Sequence, residues 1–198
     1  KDFELLFVDT GVELPGEAEY VVRFAGAFDA PLKILKSEKD FFQYYEKKKS
    51  FPSPFYRDCI GLFINSVVDK YIFANLEKEE EFLIIRGGRE KQTLQKSKGE
   101  KFYKLQEGKR EVCILNPLFD LAEEAFQKKL DQLREVFGLW EGYDMGFQRT
   151  ACWCCPFQTK AQYEAIQKHL PLCWNILKRK ALEWEIQPES TLYRMAKD

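Results

Sequence analysis

Short apolar runs alternate with amphipathic stretches along this chain, and the alternation predicts its elements. Phe3 to Val8 is an apolar run closed by Asp9, Thr10 and Gly11, the pattern of a buried strand in a parallel sheet. From Glu17 the segment AEYVVRFAGAF turns to helical spacing, and Pro31 then leads into a second short strand, LKIL. Residues 39–49 (KDFFQYYEKKK) form a polar helix with an aromatic face, ended by the breaker run SFPSPF. Within Arg57 to Phe73, CIGLFINSVVDKYIF again carries apolar residues at helical spacing. FLII from Phe82 reads as a strand ended by Gly87 and Gly88, and EVCIL (Glu111 to Leu115) as another. Pro117 and Asp120 mark the entry to a long amphipathic helix, LAEEAFQKKLDQLREVF, which Gly138 stops. Two helices follow, one from about Lys160 to His169 and one from Pro171 to about Glu185 with proline in its first turn.

This order of strands and helices predicts an α/β domain with a mostly parallel central sheet flanked by helices, followed by a Cys-rich helical segment at the C-terminal end. Ligands of such sheets sit at the carboxyl ends of strands, here Asp9 to Gly11 and Arg86 to Arg89. The stretch from Arg86 to Arg110 reads as a long loop with a functional role, and the residues from Gln187 as a partner-facing tail. Because residue 1 is Lys and a buried strand begins at once, the chain is expected to start inside a longer protein.

Composition narrows the picture. With 198 residues, of which 45% are hydrophobic, there is material for one domain with a sizeable core. No apolar run is long enough to span a bilayer and no signal core opens the chain, so a cytoplasmic location is expected. A net charge of −1 argues against a uniformly nucleic-acid-coating surface. Between Arg86 and Arg110, however, nine basic residues face three acidic ones, a phosphate-facing loop or a solvated lysine-rich excursion.

The densest chemistry lies in RTACWCCPF, Arg149 to Phe157. Cys152 and Cys155 form a CxxC pair, the spacing at which one turn aims two thiolates at one iron or zinc, or makes a redox dithiol. Further ligands would come from the remaining cysteines, with Cys59 and Cys173 preferred; Cys113, inside VCIL, reads as a small buried apolar residue. His169, the one histidine, sits in a polar helix and is expected to be exposed. Trp153, Phe157 and Trp174 read as core or as a shield around the thiols.

Five segments in order resemble the phosphoadenosine phosphosulfate (PAPS) reductase family of the adenine nucleotide alpha-hydrolase superfamily. LFVDTGVELPGEAEYV is similar to the family's second strand, its Asp-Thr-Gly end, the short acidic, proline-containing turn that follows and the next helix. YRDCIGLFINSVVDKYI resembles the segment that carries the first cluster cysteine, at Cys59. FLIIRGGREKQT resembles the strand with a GxR element, giving Gly87 and Arg89, and LNPLFDLAEEAF the Pro-Leu and Asp stretch before a helix. YDMGFQRTACWCCPF resembles the Arg, Thr, Gly, CxxC, Pro ending, with Ala151 in place of the second glycine. Departures are also present: Ile60 follows Cys59 where cluster-bearing members have a tandem cysteine, Ile64 stands where Lys is frequent, and Gln92 and Thr93 replace an acidic and serine pair. Neither the SGGKDS phosphate loop, which would lie upstream of Lys1, nor an ECGxH-like tail with its nucleophilic cysteine is present.

The resemblance implies a nucleotide-binding α/β domain over residues 1–150, short of its first strand and phosphate loop, with the Cys-rich turn and helices of 151–198 packed on it. It implies an oxidoreductase or sulfur transferase that binds ATP, PAPS or APS (adenosine phosphosulfate) through Asp9, Thr10, Gly11, Gly87, Arg89 and Arg149. Cys59, Cys152, Cys155 and Cys173 would hold a 4Fe-4S cluster or, alternatively, zinc. Cys154 and Cys173 are the fallback nucleophiles. Two further functions stay open: ATP pyrophosphatase chemistry with sulfur transfer to DNA or tRNA, and a non-catalytic, metal-stabilised nucleotide-binding module. A nucleic acid or a sulfur-donor protein is the expected macromolecular partner.

Overall fold

In a computed structural model of the chain, the described residues are 3–54, 56–75, 82–89, 101–107, 110–184 and 190–197. They fall into two compact units, Lys1–Asn75 with Trp140–Asp198, and Leu76–Leu139.

The first unit opens with β1 (Leu5–Asp9), α1 (Glu17–Ala27) and β2 (Leu32–Lys36), with the two strands parallel. This is the strand, helix, strand crossover that the sequence pattern predicts. The register sets Asp9 opposite Lys36, and Lys36 Nζ lies 2.9 Å from Asp9 Oδ2. Gly16, at φ +83°, turns the chain into α1, whose first turn carries Glu17 and Glu19 where the helix dipole favours negative charge. α2 (Phe41–Lys48) is capped by Asp40, which accepts from the Gln43 amide at 2.7 Å. The single helix expected over 57–73 instead begins as a π-helical stretch, Ile60–Asn65, directly after Cys59, and continues as α3 (Ser66–Asn75). Ser66 Oγ donates to the Leu62 carbonyl at 2.7 Å where the two meet.

The second unit holds β3 (Leu83–Ile85), β4 (Phe102–Glu107), β5 (Arg110–Leu115) and α4 (Glu123–Val136). β5 is central, parallel to β3 and antiparallel to β4. β4 corrects the reading of Arg86 to Arg110 as one loop: Phe102 pairs with Leu115 and Tyr103 with Ile114 inside that stretch. The short alternation FYKL, set between lysine-rich flanks, hid the strand. Residues 90–100 and 108–109 of the same stretch lie outside the described ones.

Returning to the first unit, the chain makes a single turn at Glu141–Tyr143, passes the cysteine turn, and ends in α5 (Lys160–His169), α6 (Pro171–Glu183) and α7 (Thr191–Lys197). Thr159 and Gln162 form a reciprocal capping box at the start of α5. The core of this unit joins Val12 and Leu14 to Phe41, Tyr45 and Phe63, and to Trp153, Ile166, Trp174 and Leu177. α7 occupies most of what the sequence suggests as a partner-facing tail. Its Leu192 and Ala196 are buried in the same core, so this segment is structural. No helix among the described residues is long and apolar enough to cross a membrane.

Candidate functional site

β1 delivers Asp9, Thr10 and Gly11 to its carboxyl end, as the sequence leads one to expect. The turn they form is closed by an acidic side chain two residues further on. Glu13 Oε1 accepts from the Thr10 amide at 2.9 Å and from Thr10 Oγ1 at 2.5 Å, while Oε2 accepts from the Gly11 amide at 3.0 Å. Asp9 Oδ1 shares the Gly11 amide at 3.0 Å. Lys36 holds the Asp9 carboxyl below the usual carboxylate range, chiefly through their hydrogen bond.

The residues after this turn form one side of a short antiparallel pairing with the cysteine turn. Glu13 bridges Cys152, the Leu14 amide donates to the Ala151 carbonyl at 3.2 Å, and the Trp153 amide donates to the Val12 carbonyl at 2.9 Å. Glu17 adds a clasp: its Oε1 accepts from the Ala151 amide at 2.9 Å. Burial pushes the Glu17 carboxyl up to about 7, against the pull of that hydrogen bond, because the residue is only 6% exposed. Trp153 anchors the turn from the other side, stacked on Phe42 with ring centroids 5.3 Å apart. The Asp-Thr-Gly turn and the CxCC turn are therefore built as one piece.

Within the cysteine turn the Cys155 amide donates to the Cys152 carbonyl at 3.0 Å, closing the CxxC loop, and Gln158 Nε2 donates to the same carbonyl at 3.1 Å. Arg149 Nη2 donates to the Phe157 carbonyl at 3.2 Å and to Cys155 Sγ at 3.5 Å. Arg149, expected to face a nucleotide, thus braces the turn here and sets a cationic donor beside one sulfur.

Cys59, Cys152 and Cys155 lie close enough for charge on one to act on another. Burial pushes the Cys152 thiol up to about 12, with Glu13 and Cys155 adding to the shift, and it also raises Cys59. Cys154 is buried, at 3% exposure, and burial raises its thiol well above the usual value. Cys173, on α6, is raised by burial, and no other thiol contributes to its shift. Among the described residues no group of three or more Cys, His, Asp or Glu side chains is arranged to hold a metal ion. The expected set of Cys59, Cys152, Cys155 and Cys173 is therefore not gathered into a ligand cage as placed. His169 is exposed at the end of α5, as expected.

Beside Cys59 stands a polar cluster. Tyr45 and Tyr44 donate their hydroxyls to the two oxygens of Asp58 at 2.5 and 2.9 Å, and Lys48 pairs with the same carboxylate. Burial works to raise Asp58, but these three donors hold it below the usual range. The cluster borders a cavity of about 720 Å³ walled by Tyr45, Phe51, Tyr56, Tyr163 and Trp184, with Cys154 also part of the wall. One face of the cysteine turn thus meets the Asp-Thr-Gly arm, and another borders an aromatic cavity.

Residues 1–158 match the phosphoadenosine phosphosulfate reductase domain. The chain belongs to the PAPS reductase family. The matched region contains the Asp-Thr-Gly turn, Cys59, the GxR element and the whole CxCCP turn, while α5 begins just beyond it. Two uncharacterized proteins of Methanocaldococcus jannaschii are similar to the chain. One is 28% identical over 183 residues, covering 90% of this chain and 42% of the relative. The other is 24% identical over 178 residues, covering 88% of this chain and 35% of the relative. The chain therefore spans less than half the length of these relatives.

The family's GxR residues lie in the second unit. Arg89 is buried at 7% exposure, with Nη2 2.5 Å from Glu123 Oε2 and its guanidinium 3.7 Å over the Phe126 ring. Gly87 is open, whereas a Cβ at Gly88 would lie 2.6 Å from Asn116 Oδ1, so a side chain there would have to displace the Asn116 amide. Sequence reasoning located Asp9, Thr10, Gly11 and the thiols. It did not assign Glu13, Glu17, Tyr45 or Asp58 to the site, although Glu13 and Glu17 lie in the acidic stretch that follows the Asp-Thr-Gly turn.

Proposed function

We propose that the chain is the nucleotide-binding, thiol-bearing part of an enzyme that performs sulfur chemistry on, or driven by, an adenine nucleotide. The single observation that supports this reading is the pairing of Glu13 with Cys152, which places the Asp-Thr-Gly turn directly beside the thiols. Asp9, Thr10 and Gly11 approach the nucleotide with backbone amides and a hydroxyl; Gly11, at φ +81°, adopts a conformation that costs glycine little. Arg149 would move from its present carbonyl and sulfur partners to a phosphate, for which a planar guanidinium is well matched. Gly87 and Arg89 carry the family's GxR pattern in the second unit, where Arg89 is engaged by Glu123 and Phe126.

A thiol attacks sulfur only as thiolate. Cys154 is thus a poor nucleophile, being buried with its thiol held protonated. Cys152, at about 12, is protonated at neutral pH as well. A 4Fe-4S cluster or zinc would draw on Cys59, Cys152 and Cys155, but these residues would have to close together and gain a fourth donor. As placed they do not fit such a group, and nucleotide binding needs none.

The test is calorimetric titration of the full-length protein with AMP, ATP and PAPS. Saturable binding of at least one is expected, weakened in Gly11→Val, where a branched side chain opposes a left-handed backbone. Absence of binding by all three nucleotides would reject the reading.

A further inference from the structure

The closure of the Asp-Thr-Gly turn points to a role for Glu13 that goes beyond shaping a loop. Three donors converge on the Glu13 carboxylate, two successive backbone amides and a hydroxyl at 2.9, 3.0 and 2.5 Å, with the Gly11 amide shared with Asp9 Oδ1 at 3.0 Å. Successive amides turned the same way by a positive-φ residue make a concavity that binds anions, and here Gly11 supplies that residue. The concavity lies at the carboxyl end of a parallel strand, where ligands of such sheets are held. Its neighbour Asp9 is already neutralised by Lys36. Glu13, by contrast, makes no ion pair with a described residue, so its charge is held by the turn itself.

We propose that Glu13 is an internal stand-in for a phosphate group, occupying the amide concavity until a nucleotide phosphate displaces it. The inference rests on the nucleotide reading above and deepens it. A nucleotide monophosphate, with a charge of about −1.5 to −2 at neutral pH and three acceptor oxygens, competes with the Glu13 carboxylate for the same three donors, so the turn satisfies one or the other. The backbone of Glu13 is pinned on both sides, by Trp153 to Val12 and by Leu14 to Ala151. Displacement is therefore confined to the glutamate side-chain torsions, leaving the pairing with the cysteine turn intact. The consequence is selectivity: a ligand must bring a phosphate worth more to the turn than its own carboxylate, and a bare nucleoside gains nothing from the exchange.

The experiment compares AMP with adenosine on the full-length protein, wild type against Glu13→Gln, by calorimetry. Glutamine keeps the shape and loses the charge that makes the carboxylate a strong competitor. AMP is expected to bind about tenfold more tightly to E13Q than to wild type, on the scale of losing a charge-assisted hydrogen bond, with adenosine unchanged. Should E13Q fail to fold, Glu13→Asp, one methylene short of the amides, reads the same quantity. Any result in which AMP gains no more than adenosine overturns the proposal and leaves Glu13 a brace of the turn, with the nucleotide reading standing. Binding of neither AMP nor adenosine to any of these proteins would overturn the proposal, and the nucleotide reading would fall with it only if ATP and PAPS also failed to bind.

Discussion

The loops after β1 and β3 both follow a strand that is parallel to its neighbour, yet they treat their polar groups in opposite ways. After β1, two amides and a hydroxyl are gathered on Glu13, with Asp9 sharing the Gly11 amide, and the next residues pair with the cysteine turn. After β3, the Arg86 amide carries the sheet onward to the Leu115 carbonyl, Gly88 packs against Asn116, and Arg89 is spent on Glu123 and Phe126. The first loop holds a small anion by donors that an incoming anion can use. The second buries its cation under an aromatic ring and pairs it internally. The same position at a strand end thus yields a receptive site in one case and a packed structural element in the other, and the side chains two to four residues further on decide which.

Three substitutions sharpen this contrast. The largest effect is expected from Trp153→Ala, which removes a buried ring stacked on Phe42 and with it the anchor of the cysteine turn. Chemical denaturation should register a loss of about 3–5 kcal/mol, the usual cost of emptying a buried aromatic site. A loss within the range of ordinary surface changes would mean that the turn is not held from this side. Arg89→Ala comes next, at about 2–3 kcal/mol, because Glu123 is half-exposed and water can replace part of what it loses. If R89A proves as stable as wild type, Arg89 is not structural and returns as a candidate ligand-binding group.

Glu17→Gln gives the smallest effect and shows it only as pH varies. The folded carboxyl has been raised from 4.5 to about 7. Below 4.5 it is protonated in both states. Between 4.5 and about 7 the unfolded chain releases its proton first, so the wild type loses stability as pH rises through that window and levels off above it. Glutamine still accepts from the Ala151 amide and has no proton to release. The stability of E17Q should therefore decline less over this window; parallel profiles for the two proteins would place the charge of Glu17 in solvent.

Much of the fold was legible because periodicity survives where packing agrees with it. β1, α1, β2, α5 and α6 all lie where apolar spacing and punctuation by Gly and Pro put them. β4 was not legible, since Phe102 to Glu107 is a brief alternation embedded in a lysine-rich stretch. α7 was not, because a terminal polar-looking segment gives no sign that Leu192 and Ala196 find a core. The site divides in the same way. Asp9, Thr10 and Gly11 are marked by the end of an apolar run, and the thiols by CxxC spacing. Glu13 lies in the acidic, proline-containing turn that the resemblance includes, but its role was not legible, for it arises from the turn folding back on its own side chain. Arg89 illustrates the converse: its motif was plain, but its partners lie 34 and 37 residues on and only the fold brings them together.

The central claim is that the Asp-Thr-Gly turn and the cysteine turn form one nucleotide-responsive site, and hydrogen exchange tests it most directly. Mass-spectrometric exchange on the full-length protein, with and without saturating AMP, would follow peptides covering residues 9–14, 151–155 and 112–115. AMP is expected to slow exchange in the first two together, because the Leu14 and Trp153 amides bridge them, and to leave the third unchanged. Protection of 9–14 without 151–155, or of neither while AMP binds, would contradict the account.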